Sequence, residues 1–135
     1  LTARGVQVAI ISTGPLLHAQ MVGRELGIGP VLGNEIGFSH RNGVEVVSGE
    51  VSAHVPFHAK GQVLEQLLSR LGIHAGECIA VGDGVTDIPM FRRAAVGIAL
   101  HPNKREVSVA AKIVLPDLDL GPLLTRLHDL APQLW

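Results

Sequence analysis

The stretch AVGDGVTDIPMF, Ala80–Phe91, runs an apolar segment into a Gly-Asp-Gly turn and sets a second carboxylate, Asp87, four residues after Asp83. Cys78-Ile79-Ala80-Val81 reads as a buried strand, and the glycines mark where it stops. Carboxylates at such a place are ion-paired, solvated or holding a cation, because burying a bare charge is expensive. A short helix is expected from about Asp87, followed by a strand over Val96–Leu100. This strand–turn–helix–strand unit decides the fold, because strands and helices alternate over much of the rest of the chain.

Upstream, Val6–Ile11 (VQVAII) is a short apolar run rich in β-branched residues and reads as a strand. Ser12-Thr13-Gly14-Pro15 ends it, with Pro15 placed for the first turn of a helix running to about Leu26. Leu17, Met21 and Val22 are its inward candidates, and Gly27 is its C-cap. Strand-like segments follow from Val31 to Val51, with Asn42-Gly43 between IGFS and VEVVS as a hairpin signal. Lys60–Leu71 returns to helix, with Val63, Leu64, Leu67, Leu68 and Leu71 on one stripe and Gly72 as its stop. Downstream, a helix near 104–111, a strand over 112–115 and a final helix near 120–130 complete the pattern. Strands alternating with helices predict an α/β fold, a doubly wound, mainly parallel sheet carrying a small β-hairpin insertion over 34–52.

The chain has 135 residues, 47% hydrophobic and 17% charged, with a formal net charge of -1. That length suits one domain with a real core. The charge leaves no footprint for nucleic acid or an anionic membrane. No apolar stretch approaches the roughly 20 residues needed to span a bilayer. Cys78 is the only cysteine, so an intramolecular disulfide is excluded, which fits a reducing, cytoplasmic compartment. The first residue is Leu1, close to a strand, which reads as a portion of something longer.

Open parallel sheets bind ligands outside the carboxyl ends of their strands. Ser12-Thr13-Gly14 and Gly82-Asp83-Gly84 are both strand-end turns, so the fold is expected to bring them to one rim. Asp83 and Asp87 offer the hard oxygen ligands that Mg²⁺ prefers. Ser12 Oγ and neighbouring backbone N–H groups at a helix start can hold an anion. Lys60, opening its own helix, adds a positive charge. An anion cradle, a lysine and an acidic cation site together describe phosphoryl transfer.

IISTG, then the lysine in HAKGQVLEQLL, then AVGDGVTDIPMFRRAAVGIAL, resemble the last three motifs of the haloacid dehalogenase-like phosphohydrolases, and within them the phosphoserine phosphatases. The likeness runs over nearly the whole chain, through the closing DLDLGPLL. It implies that Ser12 binds the phosphoryl group with the Thr13 N–H assisting, and that Lys60 neutralises charge on that group and on the nucleophile. It further implies that Asp83 ligates Mg²⁺ and that Asp87 supports the metal shell, the substrate being a small phosphorylated metabolite, phosphoserine first, as in serine biosynthesis. Thr86 stands where phosphoserine phosphatases usually carry asparagine, so a hydroxyl replaces an amide beside the phosphate. The family's nucleophile is an aspartate in a DxDxT/S motif on the first strand, and no such motif exists here. The chain therefore reads as a C-terminal portion, without nucleophile or cap, inactive when isolated. Its parallel sheet would lack a central strand and expose unpaired edges.

Other readings use the same residues. Asp83 could be a turn residue and Asp87 an N-cap, Ser12 a cap, and Lys60 a solvated helix-start residue. On the phosphatase reading, by contrast, removing the Lys60 ammonium is expected to cut turnover far more than stability, because it stabilises charge and does not pack. GDGVTDIPM also resembles the corresponding motif of P-type cation pumps, and a non-catalytic metal- or phosphate-binding pseudo-enzyme remains a third possibility. His54 and His58 have the i, i+4 spacing of zinc helices, but Pro56 between them favours a loop. His18, His40, His74, His101 and His128 are scattered and form no ligand motif, and Arg92 and Arg93 read as surface.

Overall fold

The computed structural model describes residues 5–119 and 121–130, and the chain divides into two compact units, Leu1–Phe57 and His58–Trp135. The fold is α/β and doubly wound, with its strands in two three-stranded sheets.

The first unit is a strand–helix–strand crossover followed by a hairpin. Strand β1 (Ile10–Pro15) leads into helix α1 (Leu16–Leu26), then strands β2 (Val31–Arg41) and β3 (Val44–Ser52). β1 pairs with β2 in parallel, Ile10 opposite Val31 and Ile11 opposite Leu32. β2 pairs with β3 antiparallel, closing at Arg41 opposite Val44. The two-residue loop Asn42-Gly43 has φ of 52° and 77°, the left-handed pair that a tight hairpin requires.

Two expectations for this unit are corrected. The first strand does not occupy Val6–Ile11 and stop before Ser12, but starts at Ile10 and continues through Pro15. Strand membership is set by a ladder partner, and β2 offers one only from Ile10 onward; the register then shifts between Ile11 and Pro15. Pro15 accordingly precedes α1 in extended conformation instead of opening it. Leu17, Met21 and Val22 do not face inward: they are 56%, 60% and 39% exposed, while Ala19 and Gly23 are the buried residues of α1. The close crossing over β2 admits only the small face, since a Cβ on Gly23 would lie 2.6 Å from Val31 Cγ2.

The second unit begins with helix α2 (Lys60–Leu71) and continues through strand β4 (Ile79–Gly82), helix α3 (Ile88–Phe91) and strand β5 (Val96–Leu100). Helix α4 (Arg105–Ala110), strand β6 (Ile113–Leu115) and helix α5 (Gly121–Leu130) follow. Leu120, expected to open the last helix, lies outside the described residues. The sheet is wholly parallel, in order β4-β5-β6. β5 is central and buried along Val96–Ala99, as a strand covered on both faces must be. Val96 and Ile98 join Leu115 in the core, with Leu123 and Leu127 of α5 packed against it. The opposite face of β5 receives Phe91, for which Gly97 leaves room.

On α2 the stripe reads as expected at Leu64, Leu67 and Leu68, which are buried. Arg93 is not a free surface residue: its side chain is one-third exposed, and Nε donates to Glu65 Oε1 at 2.7 Å, joining the turn after α3 to α2. The histidines are also more engaged than their scatter implied. His74 Nδ1 accepts the Gly76 N–H, and His101 Nδ1 lies 2.8 Å from the Pro116 carbonyl oxygen. His54 and His58 fall in a loop. No described helix is long and apolar enough to cross a membrane.

Candidate active site

In the first unit the chemistry-bearing turn is Ser12-Thr13-Gly14, at the carboxyl end of β1. Ser12 Oγ accepts the Gly14 N–H at 3.0 Å. That bond turns the Gly14 N–H onto the hydroxyl and leaves the Ser12 O–H proton available to an anion, because a hydroxyl can accept and donate at once. Asn34 on β2 holds the same turn from outside: Nδ2 donates to the Thr13 carbonyl at 2.8 Å. β2 comes this close because of Gly33, where a Cβ would sit 2.9 Å from Leu16 Cα and 3.1 Å from Leu16 N. Ser12 and Gly14 line a shallow depression of about 230 Å³ with Pro15, His18 and Ala19.

In the second unit the Gly-Asp-Gly turn follows β4, and its organising group is Asp87. Asp87 is 4% exposed. Its Oδ2 accepts the N–H groups of both Asp83 and Gly84 at 3.0 Å, and its Oδ1 accepts from Lys60 Nζ at 2.6 Å. Lys60 is itself 8% exposed, at the first turn of α2. A charge-assisted bond of this length between two buried partners is among the stronger polar contacts a protein makes. Gly82 makes the arrangement possible, because a Cβ there would collide with the Asp87 carboxylate.

Asp83 is different. Its backbone is fixed, with the N–H on Asp87 and the carbonyl accepting Asn103 N–H at 3.4 Å, but its residue is exposed and its carboxylate has no partner among the described residues. The loop thus presents one uncommitted carboxylate on a rigid backbone. Thr86 is half-buried in a one-turn 3₁₀ helix, Val85–Asp87. The donor chemistry suits a hard divalent cation at Asp83, whereas both Asp87 oxygens are already committed. No group of three or more His, Cys, Asp or Glu gathers among the described residues, so a cation here would take its other ligands from elsewhere. Cys78, half-buried next to β4, belongs to the packing, and burial pushes its thiol pKa up.

The sequence-predicted residues therefore form two constellations: Ser12, Thr13 and Gly14 in the first unit, and Lys60, Asp83, Thr86 and Asp87 in the second. The alternative reading of Lys60 as a solvated charge is overturned by its burial against Asp87, and the same burial argues against the expectation that its removal spares stability. Asn34 was missed. Its only sequence signal is an amide beside the charged Glu35 inside the strand-like VLGNEIGF, which by itself does not tell a buried polar group from an exposed one.

The profile of the haloacid dehalogenase-like hydrolases matches residues 1–95. A phosphoserine phosphatase of Methanocaldococcus jannaschii is 33% identical over 124 residues, covering 92% of this chain and 57% of that protein. A substrate-bound phosphoserine phosphatase complex superposes with a TM-score of 0.80 at 29% identity, over 93% of this chain and 58% of the other. The phospho-aspartyl intermediate analogue of a phosphoserine phosphatase gives 0.80 at 30%, over the same shares. The chain thus spans a little under three-fifths of the length of these proteins. It belongs to the haloacid dehalogenase-like hydrolase family.

Proposed function

We propose that this chain is the C-terminal part of a phosphatase that hydrolyses a small phosphomonoester, phosphoserine first, with the nucleophilic aspartate supplied from outside these 135 residues. The observation that carries the proposal is the loop after β4: a buried Lys60–Asp87 pair pins a backbone whose only uncommitted acid is Asp83. Such a loop is wasteful as a mere turn and apt as a rigid mount for one carboxylate. The family membership supports a phosphatase, and the likeness to a substrate-bound phosphoserine phosphatase and to a phospho-aspartyl analogue supports the substrate and the covalent intermediate.

Each residue then has a physical task. The Ser12 hydroxyl, already accepting from Gly14, donates its proton to a phosphoryl oxygen, with the Thr13 N–H as a second donor. The Lys60 ammonium, held by Asp87, opposes the negative charge that builds up during transfer, where a preorganised charge is most effective. Thr86 offers a hydroxyl to the phosphate. Asp83 would hold Mg²⁺, with Asp87 fixing the Asp83 backbone instead of competing for the ion; a bound Mg²⁺ would supply charge neutralisation at the phosphoryl group. Asp87 keeps the lysine from moving as the phosphoryl group comes and goes.

Asp83→Asn in the intact protein tests this directly. Phosphoserine turnover at millimolar Mg²⁺ should fall by about 10²-fold or more with folding unchanged. Turnover equal to the parent's would remove Asp83 from the site. The 135-residue chain alone should show no turnover, since no base is hydrogen-bonded to Ser12 among the described residues and Cys78 is half-buried; activity surviving repurification would point to a different nucleophile.

A further inference from the structure

The side chain of Asn34 makes three hydrogen bonds, and together they describe a device. Nδ2 donates to the Thr13 carbonyl at 2.8 Å and to the Val55 carbonyl at 3.1 Å, while Oδ1 accepts the Val55 N–H at 2.7 Å. Val55 is fully buried, 0% exposed. One amide therefore clips two segments, each 21 residues away in sequence, onto β2.

The bond to Thr13 has a consequence at Ser12. The Thr13 carbonyl and the Gly14 N–H belong to one rigid peptide plane. Asn34 holds the carbonyl end of that plane, and Ser12 Oγ holds the N–H end at 3.0 Å. A plane held at both ends cannot rotate, and the lone pair of Ser12 Oγ that accepts Gly14 is fixed with it. The hydroxyl proton is thereby left with a narrow range of directions. Without Asn34 the carbonyl is released and the plane can turn about its flanking bonds. The Gly14 N–H then leaves Oγ, and the hydroxyl loses the contact that aims it. Gly33 adds to the constraint from below, since any Cβ there would press on Leu16 and on the Gly14 carbonyl, 3.3 Å away.

We infer that Asn34 is a positioning residue, acting on the phosphoryl group only through the Thr13–Gly14 peptide and the Ser12 hydroxyl. The inference rests on the phosphatase reading given above. Its effect on the Gly14 amide, however, does not depend on what the protein hydrolyses.

The test uses Asn34→Ala and Asn34→Asp in the intact protein, with Gly27→Ala as a control for lowered stability. Gly27 caps the far end of α1 at a φ of 63° with open space around it, so alanine strains the cap without touching the clip. Asn34→Asp keeps an acceptor for the Val55 N–H but has no proton for the Thr13 or Val55 carbonyls, so it releases the Thr13 turn entirely while retaining one of the two bonds to Val55. Amide exchange is read at Gly14 and Val55, and phosphoserine kinetics per folded molecule on the same samples. Gly14 protection should fall at least tenfold in both Asn34 variants and stay unchanged in Gly27→Ala, although Asn34 never touches that amide. kcat/KM should fall about tenfold or more in both, and Ser12→Ala should add little on top of Asn34→Ala.

Unchanged Gly14 exchange in Asn34→Ala, with only Val55 losing protection, would make the clip purely structural and overturn the inference. So would kinetics matching the Gly27→Ala control, or a full further loss from Ser12→Ala. A parent protein without phosphatase activity would defeat the functional reading, while Gly14 exchange would still decide whether Asn34 locks the peptide.

Discussion

Asp83 and Asp87 are four residues apart and chemically identical, yet changing each to Asn should have very unequal consequences for stability. Asp87 is 4% exposed and accepts three hydrogen bonds, one from a lysine that is 8% exposed. Asparagine has one oxygen where aspartate has two. If that oxygen serves the Asp83 and Gly84 N–H groups, the NH₂ points donor-to-donor at Lys60; if it serves Lys60, two loop N–H groups lose their acceptor. Either way a buried ammonium loses its counter-charge, and breaking such a pair from one side costs about 3–5 kcal/mol. Lys60→Met should cost less, about 2–3 kcal/mol, because the carboxylate keeps its two backbone donors. The double variant should be milder than the sum of the singles by about 2 kcal/mol, since neither charge is then left unpaired. Asp83→Asn, at an exposed carboxylate without a partner, should stay within about 0.5 kcal/mol of the parent. Urea denaturation of the four variants in the intact protein provides the values. Equal shifts for Asp83→Asn and Asp87→Asn, or strict additivity of Lys60→Met with Asp87→Asn, would refute the division into a presented acid and a structural acid.

Three further outcomes follow from the packing. Gly33→Ala should destabilise by about 1–3 kcal/mol, because its Cβ has nowhere to go against the Leu16 backbone, and phosphate should bind more weakly; a variant with parental melting and affinity would show that the turn yields freely. Gly43→Ala, at a φ of 77° in the hairpin loop, should cost about 1–2 kcal/mol while leaving turnover per folded molecule intact, and a loss of turnover would tie the hairpin tip to the site. Cys78 carries a pH signature. Burial raises its folded pKa, so the unfolded chain releases the thiol proton first. Its contribution to stability is flat below the ordinary thiol range and declines as pH climbs through that range to the folded value. Cys78→Ala should lose this alkaline decline when denaturation is compared between neutral and alkaline pH, and an identical slope in both proteins would assign the decline to other groups.

Much was legible without coordinates because it depends on local chemistry. The alternation of apolar runs with helical stripes specifies parallel strands and crossover helices. Asn42-Gly43 specifies a two-residue hairpin loop, since both positions need φ above zero, and Gly27 and Gly72 specify where two helices stop. Ser12, Lys60, Asp83 and Asp87 announce themselves by residue type, order and spacing. What the sequence alone could not determine is which groups satisfy one another across long separations. Strand β1 is displaced toward Pro15 because its ladder partner, and not its own composition, sets its limits. Leu17 and Met21 look like core and lie exposed, because the crossing with β2 is close enough to bury only Ala19 and Gly23. Lys60 looks like a solvated charge, and only the fold brings Asp87, 27 residues away, within 2.6 Å of it. Asn34 is one polar residue among several in its strand until the chain places Thr13 and Val55 against it. Local propensity is written in neighbouring residues, whereas burial and hydrogen-bond partnership belong to the packed chain; that is why the two aspartates, alike in residue type, are told apart in burial and partners only by the tertiary structure.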